Sequence, residues 1–163
     1  MWLPGLLHKL LAVGVRRKAL QWFKSFLFGC QQRTVVGRSL SLIENLHAGV
    51  PQGTILSPLL FSLFMDDIVQ TSGIDVNLFA DDAPVCASDS SVNRLQQKLQ
   101  HAVDKLAAWF DSWALSVNNT KSAFMVFTTK QSVPSFALAI NGQPISPVLN
   151  RKDLGLTFDP HLY

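Results

Sequence analysis

Apolar residues along this chain recur first at helical spacing, then at alternating spacing. Leu6, Leu7, Leu10 and Leu11 share one helical face, and Leu20, Phe23 and Leu27 do the same in a stretch that predicts a helix from Arg16 to Phe28, stopped by Gly29. The period then shortens. "RTVVGRSLSLI" alternates around Gly37 and predicts a hairpin, while "HAGVPQG" holds too many Gly and Pro residues for either regular state. Ser57-Pro58 reads as a helix start, a capping hydroxyl followed by a proline whose missing N–H costs nothing in the first turn, and predicts a short buried helix from Pro58 to about Val69. In "IDVNLFA", Ile74, Val76 and Leu78 fall on one face of a strand, and "APVCA" follows as its hairpin partner, with Asp81 and Asp82 at the tip. From Ser90 or Ser91 a long helix opens, marked by Val92, Leu95, Leu99, Val103, Leu106, Phe110 and Trp113 at spacings of three and four. A polar turn leads into a strand over Ala123 to Phe127, and "SFALAI", an Asn141-Gly142 turn signal and "LGLTF" predict further strands.

Helix, hairpin, helix, strand-Asp-Asp-strand, helix and strands, in that order, describe an α+β domain with helices on one face of an antiparallel sheet. The carboxylate turn then lies at a sheet end, open to ligands. Composition supports one domain: 163 residues, 48% hydrophobic and 15% charged, suffice for a sizeable core. The net charge of +3 is a modest lean toward polyanionic partners. Cys30 and Cys86, far apart and in apolar contexts, exclude a disulfide framework and are expected to be buried thiols in a reducing compartment. The leucine-rich N-terminus lacks the basic start and cleavage site of a signal peptide, and "ILSPLLFSLFM" is too short to span a bilayer. The expectation is an intracellular protein, nuclear or cytoplasmic, with no membrane partner. His8, His47, His101 and His161 show no metal-ligand spacing and are expected at or near the surface.

Two adjacent aspartates at a hairpin tip suit a hard divalent cation, because Mg²⁺ prefers oxygen ligands and takes only one or two protein carboxylates beside water and phosphate. An Asp-Asp pair alone is more often a solvated turn. Its context carries more. "AGVPQGTILSPLLFSLFMDDI", then "LFADDAPV", then "WALSVNNTKS" resemble in order and spacing the palm of reverse transcriptases from non-LTR (LINE-like, jockey-type) retrotransposons. The matching residues are Gly49, Pro51, Gln52, Gly53, Ser57 and Pro58; then Phe79, Ala80, Asp81 and Asp82; then Leu115, Val117, Asn118 and Lys121. "LGLTFDPHL" looks like the family's primer-grip strand, and the segment from Leu6 to Gly37 like its connecting segment.

This resemblance implies a palm-like sheet and RNA-templated DNA synthesis by two-metal nucleotidyl transfer, with Mg²⁺ or Mn²⁺ as cofactor and an RNA template, a DNA primer and deoxynucleoside triphosphates as partners. Asp81 and Asp82 would be catalytic and metal-binding. Gly49, Pro51, Gln52, Gly53, Phe79, Ala80 and Lys121 would contact nucleotide or template. By motif, residues 1–47 form the connecting segment, 48–128 the palm and 129–163 the start of the primer grip. The arrangement departs from the family in three ways. No acidic residue precedes Glu44, so the family's upstream catalytic aspartate and its strand, with most of the fingers and the thumb, are expected in missing segments of a longer parent, and the chain alone is expected to be inactive. Pro84 removes a ladder hydrogen bond and should confine its strand to an edge or a bulge. Asp153 stands where the family has an aromatic, which weakens the primer-grip match. Two other readings are a nucleic-acid-binding module and a non-functional relic. Arg16, Arg17, Lys18 and Lys24 would track a phosphate backbone in the first, although Trp22 and Phe23 among them are expected to lie in the core.

Overall fold

A computed structural model describes residues 1–71, 73 and 75–161 of the chain. Ile74, expected on the buried face of the first hairpin strand, lies outside them, as does Tyr163 at the end of the third motif segment. The chain packs as two compact units, residues 1–67 with 112–115, and residues 68–111 with 116–163. This division follows packing, whereas the division at 47/48 and 128/129 follows motifs.

In the first unit, α1 (Leu3–Ala12) starts with Pro4 in its first turn and buries Leu3, Leu6 and Leu10 at three- and four-residue spacing. It packs against α2 (Arg17–Leu27) and α3 (Leu56–Met65). Between these helices, β1 (Gln31–Gln32) pairs antiparallel with β4 (Glu44–Asn45), and β2 (Val35–Val36) with β3 (Ser39–Leu40) across the Gly37 turn expected from the alternation. Lys9, which interrupts the leucine pattern, is only 7% exposed. Its ammonium meets the Asp67 carboxylate at 2.6 Å, donates to the Phe64 carbonyl, and lies 4.0 Å from the centre of the Trp113 ring. The Trp113 ring in turn meets Phe64 edge-on at 5.5 Å. Gly5 makes room for it, since a Cβ there would stand 3.0 Å from that ring. A charge is tolerated in this core because a carboxylate, a carbonyl and an aromatic face all receive it.

Two expectations in this unit need correction. α2 turns Leu27 inward, with Leu20 and Phe23 half-buried, but Trp22 is 53% exposed and stacks on Phe26 at 5.4 Å instead of entering the core. α3 begins at Leu56, two residues before the expected start, with Ile55 at the N-cap, so Ser57 lies inside the first turn and does not cap it. After α3 the chain tightens into a 3₁₀ turn, Asp66–Gln70, close to the expected end at Val69.

In the second unit, β5 (Asp75–Val76) pairs antiparallel with β6 (Val85–Cys86). α4 (Val92–Ser112) follows, as its apolar periodicity requires, burying Ala102, Leu106, Ala107 and Trp109. β7 (Ala123–Phe124) is shorter than the Ala123 to Phe127 strand expected, and runs parallel to β9 (Gln143–Pro147). β8 (Leu138–Ile140) pairs with β9 on its other side, through an Asn141-Gly142 turn in which both residues have positive φ, the two-residue geometry those residue types favour. α4 grips β8 by its amides: Gln100 donates to the Ala139 carbonyl at 2.8 Å and accepts from the Ala139 N–H at 2.9 Å, and Gln96 donates to the Ala137 carbonyl. β10 (Arg151–Asp153) and β11 (Leu156–Phe158) form a last hairpin. Its turn is Leu154-Gly155, both at positive φ, so "LGLTF" is not one strand but a turn followed by a strand.

The α+β class is as expected, but among the described residues the strands form five small sheets, one with a parallel pair, and not a single antiparallel sheet. Strands of two to five residues are too short to build one. Cys86 is exposed and Cys30 half-buried, where buried thiols were expected. No described helix is long and apolar enough to cross a membrane.

Candidate active site

The Asp81-Asp82 pair sits on a hairpin that narrows from the β5–β6 ladder to a two-residue turn. Phe79 and Asp82 exchange both backbone hydrogen bonds at 2.9 Å, which leaves Ala80 and Asp81 as the two central residues. Ala80 has φ +54°, the first-position requirement of a type II′ turn, where glycine is the usual occupant. Asp81 therefore belongs to the turn and Asp82 to the ladder, and both are exposed. Below them, Pro84 accepts from the Asn77 N–H at 3.0 Å but has no N–H to return. The ladder is interrupted there and β6 pairs only with β5, the edge placement that the proline demanded.

Two adjacent carboxylates in water offer the oxygen donors that a hard divalent ion prefers. Among the described residues no three His, Cys, Asp or Glu side chains converge on a common point, so the pair matches such an ion in donor chemistry and supplies only part of a ligand set.

The other residues singled out in the sequence fall on separate elements. Gly49, Pro51, Gln52 and Gly53 form the loop before α3, in the first unit. Gly49 (φ +88°) and Gly53 (φ +79°) both need left-handed backbone, and the space beside each is open. The Gly49 N–H donates to the Met1 carbonyl at 2.9 Å. The Pro51 carbonyl accepts from the Ser57 hydroxyl and, at 3.2 Å, from that of Thr54, while the two hydroxyls meet at 2.6 Å. The loop is thereby fastened to the first turn of α3, with Gln52 exposed at its crest. Lys121 ends a polar turn after α4, in the second unit. Asn118 organises that turn: its side-chain oxygen accepts from the Thr120 hydroxyl (2.7 Å) and the Lys121 N–H (3.2 Å), and Lys121 itself is exposed.

A further cluster, not anticipated from the sequence, lies where β6 leads into α4. The Asp89 carboxylate accepts from the Ser91 N–H (2.9 Å) and Arg94 Nε (2.9 Å) and pairs with Lys98 Nζ at 2.8 Å. Lys98, the Ser91 N–H and Arg94 together hold its carboxyl well below the usual carboxylate range. The signal was present as an Asx turn preceding a helix, with basic residues five and nine positions on. At the foot of the hairpin is an open cleft of about 620 Å³, lined by Asp75, Cys86, Lys98, His101 and Lys105, whose charges are of both signs.

Comparison with known proteins accounts for the order of these motifs. The family model for reverse transcriptase (RNA-dependent DNA polymerase) matches residues 1–158. The RNA-directed DNA polymerase from mobile element jockey of Drosophila melanogaster is 31% identical over 99% of this chain, and that of Drosophila funebris 29% over 99%. A probable RNA-directed DNA polymerase from transposon BS of Drosophila melanogaster is 32% identical over 85%. The chain spans 18%, 18% and 16% of these relatives' own lengths, respectively. No solved structure matches it. The jockey-type resemblance of the motifs is thus borne out across nearly the whole sequence, and the chain belongs to the reverse transcriptase (RNA-dependent DNA polymerase) family.

Proposed function

We propose that this chain forms part of the catalytic palm of a retrotransposon polymerase that synthesises DNA on an RNA template, with Asp81 and Asp82 as its carboxylates. One observation carries this reading: the family's Phe-Ala-Asp-Asp residues form a tight, solvent-facing hairpin tip with both carboxylates accessible. On this reading Asp81 and Asp82 hold Mg²⁺ or Mn²⁺, which when bound neutralises charge on the transferring phosphates. Gly49 and Gly53 leave the loop backbone open to a nucleotide or template strand, Pro51 fixes its course, and the Gln52 amide meets a base or sugar edge. Phe79 and Ala80 shape the turn that presents the carboxylates. Lys121 supplies a cation for a phosphate oxygen. The two-metal reaction needs a further carboxylate, and the relatives' greater length is its natural source, so the chain by itself does not polymerise.

The test is primer extension on an RNA template in Mg²⁺ by a polymerase containing this segment. Asp81→Ala and Asp82→Ala are each expected to lower extension by about 10²–10³-fold, the scale of a lost electrostatic contact in a transition state. Unchanged extension in both would remove the assignment. The isolated chain is expected to extend nothing, and Asp81-dependent synthesis by it would show that its metal site is complete.

A further inference from the structure

The net charge of the chain is unevenly divided. The first unit carries seven Lys and Arg against three Asp and Glu, and the second seven against eight, so the whole positive excess belongs to the first. One of its three acids, Asp67, is already matched to Lys9. Within this unit, α2 holds Arg17, Lys18 and Lys24, all exposed, and no acidic residue. Lys18, Trp22 and Phe26 follow at four-residue intervals and so line one face, with Gln21 and Ser25 beside them. Trp22 is 53% exposed although Leu27, Phe23 and Leu20 turn inward, so the outward tryptophan is not needed to close the core. Its ring lies flat on Phe26 at 5.4 Å, with planes 8° apart, and meets Phe23 edge-on at 5.2 Å. Those contacts hold the indole in place with its other side open.

We infer that the outer face of α2 is a contact for single-stranded nucleic acid, with Trp22 stacking on a base, Lys18 one turn before it taking an adjoining phosphate, and Arg17 at the helix start adding to the positive charge there. A fixed aromatic among cations, with no carboxylate on the same helix, is the arrangement that single strands require, because every base has a π-face and every nucleotide a charge. A membrane surface would also attract the cations, but it needs a broad outward apolar face, and around Trp22 the outward positions are Lys18, Gln21 and Ser25. The contact uses no residue of the carboxylate hairpin and is read by equilibrium binding. A chain that binds without extending a primer upholds this inference even if the catalytic one fails.

The experiment is fluorescence anisotropy of labelled oligouridine and oligothymidine titrated with the full chain, from about 50 to 200 mM salt. Trp22→Ala is expected to weaken binding about tenfold and Trp22→Phe to retain most of it, since stacking needs a ring and not an indole N–H. Lys18→Gln, at an exposed position that folding does not use, is expected to reduce the slope of log affinity against log salt by about 0.7. Trp22-dependent binding of either strand supports the contact, and the difference between the two strands reports the part played by the 2′-hydroxyl. Absent binding, Trp22→Ala within twofold of the parent, or an unchanged salt slope in Lys18→Gln would overturn it. So would binding to phosphatidylserine vesicles without binding to either oligonucleotide.

Discussion

Ala80 occupies backbone space that ordinarily belongs to glycine, and it does so between the ladder and the carboxylates. Left-handed backbone costs a non-glycine residue about 1–2 kcal/mol, which the reciprocal Phe79–Asp82 bonds must offset. A β-branched side chain fits there worse still, so Ala80→Val is expected to destabilise the second unit by about 1–2 kcal/mol and Ala80→Gly to be neutral or mildly stabilising, read from thermal melts. Lys9 presents the opposite case, a charge in a core. Asp67→Ala leaves a nearly buried ammonium without its carboxylate and is expected to cost about 2–3 kcal/mol. Lys9→Met leaves only a half-exposed aspartate that water can reach, so it is expected to cost less, about 1 kcal/mol. Denaturant midpoints of the two variants give the order. The environment of neither residue is visible in the sequence. Lys9 looked like an interruption of the leucine pattern because its carboxylate lies 58 positions away, and the conformation of Ala80 depends on a turn length that the run of letters leaves open. The place of Asp81 and Asp82 at a hairpin tip was legible because short apolar runs flank them on both sides.

Among elements, α4 was the most legible, because a 21-residue helix repeats its apolar signal often enough to overcome local noise. Only Leu106 of the expected stripe is fully buried, however, and Ala102 and Ala107 take core places that small side chains do not advertise. The start of α3 was misread because Ser57 serves the loop: its hydroxyl is spent on the Pro51 carbonyl and on Thr54 and is not available to cap N–H groups. Ser57→Ala is therefore expected to loosen the Gly49–Gly53 loop, seen as faster amide exchange at Gly53 and Thr54, with α3 itself little changed. Trp22 was misplaced because a helical wheel gives a face but not which aromatic is outermost. At the other end of the second hairpin, Asp89 links element to environment. Its carboxyl is depressed by Lys98, the Ser91 N–H and Arg94, so its contribution to stability is complete above the ordinary carboxylate value near 4 and is lost as pH falls below it. Asp89→Asn is expected to lower the melting temperature at pH 6 and to flatten its fall between about pH 4 and pH 2, measured by thermal melts across that range.

For the whole molecule, the α+β class followed from the order of elements, while the single sheet did not form because its strands stop after two to five residues. The same shortness leaves apolar side chains uncovered. Leu42 is 84% exposed and Ile55 96%, with Val35, Val36, Leu40 and Ile43 also outside. Leu42→Lys with Ile55→Gln is expected to raise the concentration at which light scattering begins, and to shift stability by less than about 0.5 kcal/mol. The sheets have a consequence of another kind. β9 alone among the described strands has a partner on each side. Every other described strand has one flank with no strand beside it, which on β8 is taken up by the Gln100 amide. In heavy water the molecule would therefore lose its memory of protonated solvent in two tempos: quickly along the hairpins, including the tip that carries the carboxylates, and slowly only in the helices and across β9. Any further chain that added strands to those flanks would slow the fast tempo, so the exchange rate of the hairpin amides would serve as a clock for its docking.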